Sequence, residues 1–405
     1  MFFFFNLKVL MSQLRKMFLQ HLVLVLCVSC TTGHICKNIL CYFTTDSTTK
    51  DEFHRFHPMN INPFLCTHIV YYYALISRNE LHLSEQTFQS NDTDIPYYTY
   101  VNNQKESKSD LKTLVSVIIR LSTFFVYGKD FKARQTFIQN LRSFLRKHDF
   151  DGVEINWSTE NVKLLPVFKT IFTILIQEIA MNFREEKRDD GKKRLILAVS
   201  VSPLKDVIDK VYDVHTISSY VDMLNIETTR FRTGSELTVG HYSPLYGDYR
   251  LEVDTNCVDF AVRYWLKNGA PAKKLNIGLG LYGLTYQTEK YYRHYIGNAA
   301  LGPGRIADQE LEMCTYTDVN QFLSWGAKIH RSKDQEVPHF VLNDLWVGYE
   351  DQISLNEKVD YVLQNQLAGV TVRSFDMDDF RGDFSSDGPY PLMTTIKRAC
   401  ENFAF

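Results

Sequence analysis

The stretch Phe150-Asp151-Gly152-Val153-Glu154-Ile155-Asn156-Trp157-Ser158 holds two carboxylates, an amide and a hydroxyl in a run that reads as a buried strand. Side chains alternate along a strand, so Gly152, Glu154, Asn156 and Ser158 share one face and Val153, Ile155 and Trp157 the other. A carboxylic acid at the end of such a strand could act as a general acid if its pKa were raised. The position at the strand end is Ser158, and an aliphatic hydroxyl delivers no proton at neutral pH. Asn156 is an amide and cannot stand in for a carboxylate. Glu154 lies deeper and reads as a structural carboxylate. Glu160 is in phase with the same face, but two residues displace it by about 6–7 Å at strand rise. Proton transfer needs contact at about 2.6–3.2 Å. General acid catalysis is therefore not expected from this strand.

Short β-rich runs alternate with helical ones along the rest of the chain, the pattern of an α/β protein with a parallel sheet. Strands are expected at 39–43, 68–74, 113–118, 152–157, 195–200, 221–226, 275–281 and 369–374. Helical segments such as 131–147 and 164–183 fall between them. Eight strand–helix units predict a (β/α)8 TIM barrel, whose sites form at the C-terminal ends of the strands. The rhythm breaks at about 287–351, where a small α+β insertion subdomain is expected. The barrel as a whole is assigned to residues 34–400.

The net charge of −2 over 405 residues gives no global pull toward nucleic acid or a membrane surface. The mixed-sign run 184–194 reads as a solvated loop. Lys8, Arg15 and Lys16 precede an apolar stretch of about 18–28 and small residues at 29–33, so residues 1–33 read as a secretory signal. The apolar stretch falls short of the roughly 20 residues that span a bilayer, so no membrane span is expected after cleavage. Six cysteines would remain, Cys36, Cys41, Cys66, Cys257, Cys314 and Cys400, and an oxidising compartment permits many pairings among them. Asn91-Asp92-Thr93 is a glycosylation sequon in a polar stretch, and Asn91 is its expected acceptor. No metal or cofactor is implied, and a monomer is the default.

The run 150–158 resembles the signature of the family 18 glycoside hydrolases, FDGxDxDWE. Ordered likenesses extend over almost the whole chain after the signal. Cys41-Tyr42-Phe43-Thr44 is similar to the family's first strand and Cys66-Thr67-His68-Ile69-Val70-Tyr71 to its second. Asn268-Gly269-Ala270-Pro271, Ser243-Pro244-Leu245-Tyr246, Gln335-Glu336-Val337-Pro338, Trp346-Val347-Gly348-Tyr349 and Asp376-Met377-Asp378-Asp379-Phe380 follow in family order. The chain looks closest to animal chitinases and chitinase-like lectins. The resemblance implies a disulfide between Cys41 and Cys66, and it makes Cys314 a cysteine whose family partner is replaced by Ser385. Cys314 is then free, or paired with Cys257, Cys36 or Cys400.

In this family the acid at the Ser158 position protonates the glycosidic oxygen while the substrate's own acetamido group attacks, an exception to the two-carboxylate scheme. Asp151, Glu154, Asn156 and Ser158 are thus positions of a degenerate motif, with no catalytic residue assigned. The sixth-strand Met-x-Tyr-Asp motif becomes Glu227-Thr228-Thr229-Arg230. The third-strand SxGG motif and the Trp after it become Ser116-Val117-Ile118-Ile119-Arg120. The Trp at the end of strand eight becomes Arg373, and a further subsite Trp becomes Arg331. Tyr42, Tyr73 and Tyr282 match aromatic residues of the family's cleft. Trp157 should point outward, and Trp265, Trp325 and Trp346 read as packing residues.

Apolar and aromatic positions of the sugar pocket have thus gained complementary charges, and buried charges are tolerated mainly when paired. An ion pair between Glu227 and Arg373 is the first expectation, with Arg120 and Arg230 near the same mouth. A rival use of these arginines is bidentate binding of a sulfated or sialylated glycan. The expected ligand contacts are Tyr42, Tyr73, Arg120, Glu227, Arg230, Tyr282 and Arg373. The expected function is that of a secreted, catalytically inactive chitinase-like protein with weakened chitin affinity, whose ligand is a chito-oligosaccharide, an anionic glycan or a protein. The alternative readings are a residually active hydrolase of N-acetylglucosamine-containing glycans, using Glu160, and a decayed copy.

Overall fold

The computed structural model describes residues 35–76, 83–84, 96–157, 167–187, 191–248, 250, 254–289, 295–306 and 309–401. Seven parallel strands come first in the chain: β1 (Asn38–Thr44), β2 (His68–Ile76), β3 (Lys112–Ile119), β4 (Gly152–Trp157), β5 (Ile196–Val201), β6 (Met223–Ile226) and β7 (Leu275–Gly280). After an insertion containing β8 to β14, the eighth barrel strand is β15 (Gly369–Arg373). Each barrel strand pairs in parallel with its successor, and β15 returns to β1, which closes the sheet into a barrel. The TIM barrel expected from the sequence is the fold observed.

Local sequence explains how the elements around β4 are set. The helix Phe131–Lys147 starts where the Asp130 side chain accepts from the Ala133 amide, a side-chain cap. Its buried residues Arg134, Phe137, Ile138, Leu141 and Leu145 recur at helical spacing and form one face. Asp149 then turns the chain with a φ of 56° into β4. Gly152 is required by close approach, since a Cβ there would lie 2.2 Å from the Ile196 carbonyl oxygen on β5. Trp157 points outward as expected and stacks on Phe124, with ring centroids 4.3 Å apart. Phe168 meets it edge-on at 5.2 Å.

The insertion is an antiparallel sheet. Its strands are β8 (Tyr282–Gln287), β9 (Gly302–Ile306), β10 (Gln309–Leu311), β11 (Met313–Thr315), β12 (Lys328–Ser332), β13 (Val337–Leu342) and β14 (Leu345–Tyr349). The order is β10-β9-β8-β14-β13-β12, with β11 beside β8. The helix Tyr316–Ser324 covers one face through a core that includes Val319, Phe322, Phe340, Val347 and Tyr349. Only Leu281 separates β8 from β7, so the insertion grows directly out of the seventh barrel strand. Trp265 and Trp346 are fully buried, but Trp325, expected to pack inside, is 57% exposed. It follows the last turn of the covering helix, where its ring lies tilted against Phe322 with centroids 5.6 Å apart.

Disulfides join Cys41 to Cys66 and Cys36 to Cys400. The second bridge spans 364 residues and ties the start of β1 to the helix Pro391–Glu401. Cys257 and Cys314 are free and buried. Beneath the insertion, Glu350 and Lys358 form a fully buried ion pair. The Lys358 ammonium also donates to the Ser243 carbonyl and hydroxyl oxygens, and Ser354 donates to Glu350. The lysine therefore pins the chain around Ser243 to the helix Gln352–Gln364. Lys358→Ala would strand the Glu350 carboxylate in the core. Removing one partner of a buried pair costs about 3–5 kcal/mol, and urea denaturation of Lys358→Ala should read a loss of that size.

Candidate functional site

A ladder of polar side chains runs up the inside of the barrel. At its base, Asn38 donates to the Asn276 side chain (3.1 Å), Asn276 to Asn225 (2.8 Å) and Asn225 to Glu154 (2.8 Å). Ser116 donates to the other oxygen of Glu154 at 2.8 Å, and the Tyr42 hydroxyl donates to the oxygen that Asn225 also reaches. The ladder draws on β1, β3, β4, β6 and β7, and the Glu154 carboxylate on β4 is itself reached by donors from β1, β3 and β6. Glu154 is fully buried, and its oxygens are engaged with three donors. It is a structural carboxylate, in keeping with its depth in the strand.

One level higher, Glu227 follows the end of β6 and points inward. It accepts from Arg373 at 3.1 Å, from the Ser200 hydroxyl at 2.8 Å and, more weakly, from Asn156 at 3.4 Å. The expected ion pair thus forms, between side chains that are each about one-fifth exposed. The Arg373 guanidinium also lies 4.1 Å over the Tyr42 ring and 5.2 Å from the centre of Tyr72, a geometry that attracts the cation to the ring faces. Burial works against the charge on Arg373, but the Glu227 and Glu154 carboxylates favour it and the guanidinium stays protonated. Burial, then the neighbouring Glu154 charge, pushes the Tyr42 pKa well above that of a free phenol, so Tyr42 remains a donor.

The expected ligand contacts therefore separate into groups. Tyr42 is fully buried beneath Arg373 and cannot touch a ligand; it supports the guanidinium instead. Tyr73 is half-buried and meets Tyr72 edge-on at 5.1 Å. Tyr282 is half-buried, stacks on Tyr242 at 4.4 Å and donates to the Thr229 carbonyl at 2.8 Å. Burial raises its pKa to about 12, so this tyrosine too serves as a donor. Arg230 is exposed and close enough for its charge to act on Tyr72 and Tyr282. Arg120 is exposed just after β3. Asp151 sits at the opposite end of the barrel, where it accepts from the Thr113 amide at 2.9 Å and faces Lys105 and Lys112. Ser158, Glu160 and Asn91, with the signal at 1–33, lie outside the described residues.

Sequence reasoning missed Tyr72 and Ser200. Ser200 shows no signal beyond its inward phase on β5. Tyr72 was concealed by an irregularity: β2 pairs Tyr72 with Ser116 but Ala74 with Val117, leaving Tyr73 as the extra residue. A bulge of this kind breaks simple alternation, and here it makes Tyr72 the neighbour of Arg373.

The mouth presents a carboxylate and a guanidinium that neutralise each other over a floor of tyrosine rings. It offers hydrogen bonds and ring faces, and its half-buried carboxylate is already paired with a cation. If the pair holds the mouth together, Glu227→Gln and Arg373→Met should not be additive. A double-mutant cycle read by urea denaturation should give a coupling of about 0.5–3 kcal/mol. A coupling of zero would show the two charges to be independent.

The family described as Glycosyl hydrolases family 18 matches residues 38–378. Human chitinase-3-like protein 2 is 33% identical over 376 residues, covering 91% of this chain and 93% of its own. Mouse chitotriosidase-1 is 34% identical, covering 89% of this chain and 77% of its own. Among solved structures, human YKL-39, described as a pseudo-chitinase with retained chitooligosaccharide binding properties, superposes with a TM-score of 0.81. It is 32% identical and covers 90% of this chain and 100% of its own. An immunomodulatory active chitinase from Trichuris suis superposes with a TM-score of 0.82 at 28% identity, covering 89% of this chain and 99% of its own.

Proposed function

The chain belongs to the family 18 glycosyl hydrolases, and we propose that within it this protein is a secreted, non-hydrolysing member that acts by binding glycan or protein, with a weakened affinity for chitin. The observation that carries this reading is the Glu227–Arg373 pair at the barrel mouth. By the family likeness those positions belong to the sugar pocket, where apolar and aromatic side chains would receive a sugar ring. A paired guanidinium over Tyr42 replaces a flat aromatic floor, so a sugar entering there meets charges that must be desolvated. Ser158 in place of the acid removes the proton donor from the same site, because proton transfer needs a group that can release a proton near working pH.

Secretion is supported by the basic-then-apolar N-terminus and by the two disulfides, which persist in oxidising compartments. No helix among the described residues is long and apolar enough to cross a membrane. The chitooligosaccharide binding of human YKL-39 favours a glycan ligand for this chain as well. The half-buried Tyr73 and Tyr282, the exposed Arg120 and Arg230, and the ion pair itself are the groups such a ligand would meet. An anionic glycan is less favoured at the pair, because Glu227 already offsets Arg373.

A fluorogenic chito-oligosaccharide should show no turnover above background with the purified protein, and Ser158→Glu alone should not create it. Chito-oligosaccharide binding should strengthen about ten-fold, equivalent to ~1.4 kcal/mol, when Glu227→Met and Arg373→Trp are combined to restore the family residues. Isothermal titration of that double variant checks the pocket. Turnover by the unaltered protein that disappears in Glu160→Gln would overturn the proposal.

A further inference from the structure

We infer that the loop after β15 is a docking site for an adhesion receptor of the integrin class, presented through Arg381-Gly382-Asp383. Such a receptor reads this tripeptide with a bound divalent cation, which takes the aspartate, and a carboxylate, which takes the arginine. Each half of that match follows from ordinary chemistry. A carboxylate oxygen is a hard ligand suited to magnesium, calcium or manganese. A guanidinium fits a carboxylate through two parallel hydrogen bonds. The inference gives the protein-binding half of the proposed function a partner class, and it rests on that reading in needing secretion to meet a receptor at the cell surface.

The loop is built to display the tripeptide. Residues 378–390 form no helix or strand between β15 and the helix Pro391–Glu401. Asp379, 1% exposed, organises them from below. One of its carboxylate oxygens accepts from the Gly382 and Asp383 amides at 3.0 and 3.1 Å. The other accepts from the Phe384 and Ser385 amides at 3.0 and 2.8 Å. Four consecutive amides therefore face one buried carboxylate, and the side chains of Arg381 and Asp383 are left exposed to solvent. Gly382 has a φ of 74°, and a Cβ there would lie 2.6 Å from the Gly388 carbonyl carbon, so the bend requires glycine.

Gly382 and the main chain thus serve the fold, whereas the Asp383 carboxylate does not. It makes no hydrogen bond or ion pair with any described residue. Other aspartates around the loop are engaged: Asp378 accepts from the Met393 amide at 2.9 Å, Asp387 from Gln352 at 2.7 Å, and Asp376 pairs with Lys50 at 2.6 Å. Arg381 lies over the Phe380 ring at 5.1 Å and donates to the Glu52 carbonyl at 3.1 Å, and no carboxylate among the described residues pairs with it. An exposed cation and anion two residues apart, paired neither with each other nor with the surrounding surface, can both be given to a partner. Phe384 and Phe53, each 39% exposed, meet edge to face at 5.7 Å and put an apolar shoulder beside them. A charged tripeptide held on a rigid barrel suits recognition by loop display.

The test is surface plasmon resonance of the purified protein on the ectodomains of the vitronectin-receptor and fibronectin-receptor integrins. At least one should bind saturably in manganese, and EDTA should abolish the binding. The peptide Gly-Arg-Gly-Asp-Ser should compete, and Gly-Arg-Gly-Glu-Ser should not. Asp383→Glu keeps the charge but displaces the carboxylate by one methylene, and it should weaken binding by at least about thirty-fold, the scale of a lost charge contact at an interface. Both Asp383 and Arg381 are exposed, so Asp383→Glu and Arg381→Ala should keep the urea midpoint of the unaltered protein. Absence of saturable binding to both ectodomains would overturn the site, as would binding that survives EDTA or is unchanged in Asp383→Glu. Secretion is read separately, by the protein's presence in the medium of expressing cells, so its failure is distinct from failure of the tripeptide.

Discussion

Glu154 and Glu227 stand at two depths inside one barrel, and keeping two carboxylates there sets the conditions that the surrounding side chains meet. The lower charge is held by hydrogen bonds alone, from Tyr42, Ser116 and Asn225. The upper one is held by an opposite charge, Arg373. Tyr42 links the two levels: its hydroxyl donates downward to Glu154 and its ring supports the guanidinium above. A charge at either level with neither hydrogen bonds nor a counterion would be strongly unfavourable. Glu227 and Arg373 are therefore intelligible only together, since either one alone would leave a charge in the barrel without its counterion.

The same coupling bears on the reading of the protein as a decayed copy. Decay predicts unpaired buried charges, but Glu227 and Arg373 at this mouth are complementary and paired. Ser200 and Asn156 add further hydrogen bonds to Glu227. A paired, hydrogen-bonded and ring-stacked arginine argues for a mouth that keeps a defined shape.

The fold was legible because parallel barrel strands are buried on both faces and read as compact apolar runs. The expected strand at 152–157 and helix at 131–147 coincide with the observed elements, since turn and cap residues, Asp130 and Gly152 among them, mark their ends. The Glu227–Arg373 pair was legible for a different reason: both residues fall in inward phase near the ends of their strands, and opposite charges brought to one mouth pair. Burial of individual tyrosines was not legible. Tyr42 and Tyr282 both match cleft aromatics in the sequence, yet only the packing of Arg373 over Tyr42 decides that Tyr42 is covered. Tyr72 was hidden by the bulge in β2, which alternation cannot anticipate.

Trp325 and the pairing of Cys36 mark the same limit from another side. A tryptophan at a helix end is buried or exposed according to what lies beyond the helix, and here the chain turns away through Gly326. Cys36 and Cys400 meet because the barrel brings the beginning and end of its chain together, β15 lying beside β1. Closure makes that proximity a property of the topology, whereas the sequence shows only two cysteines far apart. The same closure sets Arg373, at the end of the last strand, beside Tyr42 on the first, and so brings the guanidinium over the tyrosine that carries it.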